Sequence, residues 1–115
     1  MLPGRIVAVD WRDAIPGSGE PNKKRPGIVV TSRTFFGDNH EFELVVPLSG
    51  REELAIAWAS TRVEPTHENR CTKTCFALSW NVQSVPHVRL VQTASEVSAD
   101  ILASIRAQIV TCLEG

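Results

Sequence analysis

Short apolar clusters broken by polar turns fill most of this 115-residue chain, and a different spacing takes over near its end. Arg5 to Trp11 alternates in part and reads as a strand. Residues 12–24 contain Pro16-Gly17-Ser18-Gly19 and Pro21-Asn22, turn chemistry that predicts a loop. Pro26 to Thr31 reads as a buried strand entered directly from that loop, its proline placed at the start, where a missing N–H costs least. Gly37-Asp38-Asn39 predicts a turn and Glu41 to Val46 another strand. After a second turn at Gly50, Leu54 to Val63 is expected to form an antiparallel partner, and shorter strands are expected at Cys75–Ser79 and Val85–Val91. Val97, Ile101, Ile105, Ile109 and Leu113 then recur at i, i+4, with Leu102 and Cys112 widening the stripe. Thr93 followed by Glu96 has the form of a capping box, and Gly115 stands where helices often stop. The spacing predicts a helix from about Ala94 to Leu113, packed on the strands. With no repeat or linker visible, residues 1–115 read as one domain, mainly β: a small barrel or sandwich closed by a C-terminal helix.

Composition narrows the class. Hydrophobic residues make up 43% and charged residues 22% of the chain, close to globular averages, so one ordinary core is expected. The longest apolar runs, Ile28-Val29-Val30 and Leu44-Val45-Val46, are strand-sized, far short of a membrane span of about 20 residues. The start, Met1 to Val7, lacks the basic opening and long apolar stretch of a secretory signal. A cytoplasmic chain with no membrane partner is the expectation. The net charge of −1 does not suit a general nucleic-acid binder, but the charge is unevenly placed. Between Arg12 and Arg33 stand five cations (Arg12, Lys23, Lys24, Arg25 and Arg33) against two anions, Asp13 and Glu20, while acidic residues dominate from Asp38 to Glu68. A local basic segment on a neutral body suits a partner gripped at a few phosphates.

Three cysteines, an odd number, argue for reduced thiols. His67, Cys71 and Cys75 repeat at intervals of four, but a closed zinc site needs a fourth ligand and no second close pair exists. The segment is read as a polar loop, and no metal or cofactor is expected. Histidine is the residue type suited to proton transfer near neutral pH, but His40, His67 and His87 are assigned surface or packing roles. Among the tryptophans, Trp11 and Trp58 are expected to pack, and Trp80, between Ser79 and Asn81, is the candidate for stacking on a base.

Four segments of the first half carry a more specific signal: Gly4-Arg5-Ile6-Val7-Ala8-Val9-Asp10-Trp11, Gly17-Ser18-Gly19-Glu20, Arg25-Pro26-Gly27-Ile28-Val29-Val30, and Val45-Val46-Pro47-Leu48-Ser49. Their order and spacing resemble the MazF/PemK toxin family, including the separation between Glu20 and Arg25. The likeness is good over about the first fifty residues and weak beyond them. It implies an SH3-like (CcdB/MazF-like) barrel of about five to seven strands with a C-terminal α-helix. It also implies an endoribonuclease of single-stranded RNA, acting as a homodimer and neutralised by a cognate antitoxin.

RNA cleavage without metal can use the ribose 2′-hydroxyl as an internal nucleophile, giving a 2′,3′-cyclic phosphate and a 5′-hydroxyl. Arg25 offers a planar, permanently charged fork suited to stabilising the phosphorane-like transition state. Glu20 is the carboxylate available as general base. Ser49 stands where the family has threonine and would donate a hydrogen bond to a phosphate oxygen. Lys23 and Lys24 would hold flanking phosphates. Trp80, Asn81 and Gln83 fall in a segment that positions RNA in the family, although Asn81 and Gln83 replace a glutamine and a basic residue common there. Two other readings stand beside this one: a CcdB-like poison of DNA gyrase that cleaves nothing, and a non-enzymatic SH3-like interaction module. Glu20, Arg25 and Ser49 favour the ribonuclease, since a gyrase poison would not need them.

Overall fold

The computed structural model describes residues 1–11, 24–37 and 40–114. Where β-branched residues cluster, the chain extends: β1 (Arg5–Asp10), β2 (Lys24–Val29), β3 (Phe42–Ser49), β4 (Thr61–Val63), β5 (Cys75–Ala77), β6 (Gln83–Pro86) and β7 (Leu90–Glu96). A one-turn helix, α1 (Arg33–Phe36), precedes β3, and α2 (Ala99–Leu113) ends the described chain. All strand pairings are antiparallel, in the order β4-β5-β3-β2-β1-β7. β6 lies along the first half of β3, on the edge that β5 takes over further on.

The apolar runs that looked like buried strands are buried on both faces, which is why they read as near-continuous rather than alternating. One face presents Ile6, Ile28, Val46 and Leu48 to Ile105 of α2. The other presents Val7, Val9, Val29 and Val45 to Trp11 and Val85, and Trp11 packs as its sequence suggested. Gly27 sits in the second layer, where a Cβ would stand 2.6 Å from Val45 Cγ1 and 2.9 Å from Trp11 Cζ2. The glycine is what lets the indole lie against β2.

Strand pairing does not close the sheet among the described residues. Its two ends nevertheless approach: the Glu96 amide at the end of β7 donates to the Glu68 carbonyl, 3.0 Å away, beyond β4. The mainly-β, barrel-like architecture with a C-terminal helix is thus present.

Several element boundaries differ from expectation, each for a physical reason. β2 begins at Lys24 rather than Pro26, although its pairing with β3 starts only at Gly27, after the residue that lacks an N–H. The Leu54–Val63 strand contracts to Thr61–Val63. Upstream of it the backbone finds local partners: Ala59 N–H donates to the Ile56 carbonyl, and Ile56 N–H donates to Ser60 Oγ. No ladder is needed there, and Trp58, expected to pack, is 61% exposed. Cys75–Ser79 is strand only to Ala77, and a 3₁₀ turn follows at Ser79–Asn81. The Val85–Val91 segment is two strands joined by a 3₁₀ turn at His87–Arg89, because β6 pairs with β3 while β7 must cross to β1.

The helix starts later than predicted. Residues 90–96 form β7, and the Thr93 hydroxyl donates to the Ile6 carbonyl at an irregularity in the β1–β7 pairing instead of capping a helix. Ser98 is the N-cap, its Oγ accepting from Ile101 N–H at 3.2 Å. Ile101, Ile105 and Ile109 pack as expected, but Cys112 and Leu113 are exposed. Gly115 lies outside the described residues.

Gly27→Ala should destabilise the fold by about 1–3 kcal/mol, the cost of forcing a methyl into a filled core. Urea unfolding would show a lower midpoint at unchanged slope. An unchanged midpoint would mean that Trp11 yields freely.

Candidate functional site at the ends of β2 and β3

The first residues of β2 and the last residues of β3 meet at one end of the sheet. Gly27 pairs with Pro47 and Ile28 with Val46. Two residues beyond the Gly27–Pro47 pair, Arg25 is paired with Val9 of β1 and Ser49 with Phe76 of β5, and by alternation they follow Gly27 and Pro47 on the same face. In antiparallel strands opposed residues share a face, so the guanidinium and the hydroxyl belong to the same side of the sheet. Alternation sends Lys24 to the other side. Arg25 is half-buried and Lys24 exposed. Ser49 Oγ accepts from Arg51 N–H at 3.1 Å, which ends the strand and fixes the hydroxyl.

Two further cations gather here that the sequence did not single out. Lys73 lies over Gly50: its Cε and Nζ are 2.5 and 2.8 Å from the place a Cβ on Gly50 would occupy. A side chain at that position would push the ammonium off the strand end. Arg70 is held in the left-handed region at φ 55°, a conformation uncommon for a residue with a Cβ. Buried Asn69 enforces it, its Oδ1 accepting from the amides of Thr66 and Cys71 at 2.9 Å each and its Nδ2 donating to the Glu64 carbonyl at 2.8 Å. A cavity of about 300 Å³ opens beside this loop, bordered by Lys24, Arg25, Arg70, Cys71, Cys75 and Thr93. The only sequence signal for Arg70 and Lys73 was a polar loop flanked by cysteines.

The other sequence candidates fall as follows. Glu20 and Lys23 lie outside the described residues. Trp80 is half-buried, and its indole N–H donates to the Leu54 carbonyl at 3.1 Å. Its neighbour Ser79, taken as a sign of exposure, is buried and donates to Gln108 of α2 at 2.7 Å. Trp58 is therefore the more exposed of these two indoles. Gln83 pairs with Val45 on β3 and shares the Arg25–Ser49 face, four residues along the strand from Ser49. Its Nε2 donates to Asn81 Oδ1 at 3.0 Å, so the two amides are tied to each other. His67 is exposed and makes no three-ligand cluster with Cys71 and Cys75 among the described residues.

A family model described as PemK-like, MazF-like toxin of type II toxin–antitoxin system matches residues 2–113. The chain belongs to the PemK/MazF-like toxin family. Solved structures agree on the fold. MazF from Deinococcus radiodurans superposes with a TM-score of 0.70 at 19% identity, over 96% of this chain and 94% of that one. An endoribonuclease in complex with its cognate antitoxin, from a mycobacterial species, gives 0.68 at 17% identity over 98% and 94%. The MazE–MazF complex of D. radiodurans gives 0.66 at 18% over 96% and 92%. No curated protein sequence matches. This PemK/MazF-like chain is thus a toxin of a toxin–antitoxin system, and none of its described helices is long and apolar enough to cross a membrane.

Burial, reinforced by the Cys75 thiol beside it, pushes the Cys71 thiol up to about 11. An ordinary thiol near 8.5 would carry about 10²-fold more thiolate at pH 8. Cys112, exposed on α2, should therefore be alkylated first by iodoacetamide, with Cys71 lagging by about two orders of magnitude until the pH approaches 11. Peptide mass spectrometry over time reads this, and equal rates at pH 8 would contradict it.

Proposed function

We propose that this toxin is a metal-independent, sequence-specific endoribonuclease that cuts single-stranded RNA, mRNA included. The observation that supports the reading is the β2–β3 register, which puts Arg25 and Ser49 each two residues beyond the Gly27–Pro47 pair at a strand end that also holds Lys24 and Lys73. A phosphodiester lying there meets a guanidinium fork and a hydroxyl donor on one face, while the ammonium groups of Lys24 and Lys73 stand at the same strand end on the side away from that face. The 2′-oxygen attacks phosphorus, the bond to the 5′-oxygen breaks, that oxygen takes a proton from water, and the products are a 2′,3′-cyclic phosphate and a 5′-hydroxyl. Arg25 stabilises the charge gathering on the non-bridging oxygens, and its high pKa makes it a poor proton carrier. Ser49 donates to one of those oxygens. Glu20 is the proposed general base for the 2′-hydroxyl proton. Lys23 and Lys24 hold flanking phosphates, and Trp80, Asn81 and Gln83 belong to the segment proposed to position the RNA. The chain acts as a homodimer in the cytoplasm, and a cognate antitoxin restrains it by covering the basic strand end.

RNA incubated with the purified toxin in EDTA should be cut at a short motif, and a single 2′-deoxy substitution at the cut site should block cleavage. Arg25→Ala, shown folded by circular dichroism, should lose about 10²–10³ in rate, the worth of a preorganised donor. Arg25→Lys should recover little, because a point charge does not reproduce the fork. Ser49→Ala should lose about 0.5–1.5 kcal/mol of transition-state stabilisation, and Ser49→Thr should keep activity. Cleavage by folded Arg25→Ala within about threefold of wild type, a barrier change below ~0.7 kcal/mol, would end the assignment.

Assembly is checked separately. Sedimentation at micromolar concentration should show a dimer, and the antitoxin should compete with RNA for the Arg25 end. A monomer, or an antitoxin footprint remote from Lys24 and Arg25, would refute the corresponding half of the proposal.

A further inference from the structure

At the other end of β3, roughly 20 Å from Ser49 at about 3.3 Å per residue, three ligand-type side chains converge. Glu43 pairs with Val85 in the β3–β6 register. The His87 amide continues that ladder, donating to the Glu41 carbonyl at 2.9 Å, so His87 and Glu43 are diagonal neighbours on one face. His40 reaches the same point from the segment entering β3. The Nε2 atoms of His40 and His87 stand 3.1 and 2.7 Å from the same Glu43 oxygen, Oε2, and the three ligand atoms lie within 4.8 Å of one another. Glu43 is 1% exposed, and its second oxygen, Oε1, is buried with no hydrogen-bond partner among the described residues.

We propose that His40, Glu43 and His87 form a binding site for a divalent transition-metal ion of the zinc type. Two imidazoles and one carboxylate are a donor set such ions favour, with three protein ligands and water in the fourth position. Ligand bonds of about 2.0–2.1 Å require ligand atoms about 3.3 Å apart around a tetrahedral ion, so each imidazole would move slightly away from Glu43 Oε2 and the two rings, whose nitrogens lie within 4.8 Å, would adjust toward each other. Each imidazole would bind through its Nε2 lone pair with the proton on Nδ1, and the ion would supply a positive counter-charge to the buried Glu43 carboxylate. His87, with 38% of its side chain exposed, leaves one side open for entry and for the water ligand. The ion would brace β6 and the approach to β3, and it takes no part in cleavage at the far strand end.

The test uses the full chain, stripped with EDTA and titrated with zinc and separately with cobalt(II). One equivalent of zinc should bind per chain, with a Tm that rises with free zinc. The cobalt spectrum should lack a thiolate charge-transfer band. His87→Ala, at the least buried ligand, and His40→Ala should each weaken zinc binding by roughly 100-fold or more, and RNA cleavage in EDTA should be unchanged in His87→Ala. The double variant Cys71→Ser with Cys75→Ser should bind zinc as wild type does. Absence of zinc binding at micromolar concentration, undiminished affinity in folded His87→Ala, or loss of binding in the cysteine variant would each overturn the site.

Discussion

The register of β3 is the constraint on which the rest of the structure depends. This one strand is bonded to β2 along one edge and to β6 and then β5 along the other. Its side chains alternate between two packed layers, so a slip of one residue would exchange every inward and outward position. Ser49 would leave the face of Arg25, and Glu43 would leave the face of His87. Val45 would be driven out of the layer it shares with Trp11. Both ends of the strand thus inherit their chemistry from a single alignment.

Packing on both faces holds that alignment. On one side α2 lies across the sheet, and its polar residues fasten it as firmly as its isoleucines. The Arg106 guanidinium donates to the carbonyls of Val30 and Thr31 just past the end of β2. Gln108 accepts from Thr61 and Ser79 at 2.7 Å each and donates to the Ser60 carbonyl. These bonds satisfy strand-end groups that would otherwise be buried without partners, a cost of about 1–3 kcal/mol apiece. On the other side the Leu44 amide donates to Thr31 Oγ1 at 2.7 Å, tying β3 to the segment after β2. The central strands are therefore the least free to move, and the two groups proposed to meet the scissile phosphate sit on them.

How far the sequence could be read follows from the same physics. β1, β2 and β3 were legible because burial on both faces leaves runs of valine and isoleucine. Arg25 and Ser49 were singled out by the motifs around them, whereas their nearness follows only from the β2–β3 pairing that ends at Gly27 and Pro47. β7 was not legible: it is an edge strand with mostly exposed polar residues, and nothing in Gln92-Thr93-Ala94-Ser95-Glu96 distinguishes it from the first turn of a helix. Trp58 misled because apolar character near a strand implies burial only when a partner exists, and Ser60 ends the need for one. Arg70 and Lys73 acquire meaning through Asn69 and Gly50, contacts that no periodicity encodes. His40 and Glu43 lie three residues apart in a turn-rich stretch, and His87 joins them only through strand pairing, so no ligand spacing announced the cluster.

Groups that stabilise developing charge must be in place before the charge appears, because reorganising them during the reaction would consume the advantage. In the proposed mechanism Arg25 and Ser49 would meet that demand, Arg25 being paired to β1 and Ser49 to β5. A proton acceptor and phosphate-gripping lysines face a weaker requirement, since they must reach the RNA rather than hold a fixed angle to phosphorus. Among the proposed contacts, Glu20 and Lys23 belong to the connection between β1 and β2 and Lys73 to that between β4 and β5, while Lys24 is the first residue of β2. Variation in these connecting segments can therefore retune which RNA is gripped while the phosphate-stabilising pair keeps its geometry. The departures at Asn81 and Gln83 from the family's usual residues bear on recognition in the same way. On the proposed reading, cleavage would be lost when Arg25 is removed as well as when the strand pairing that positions it is disturbed.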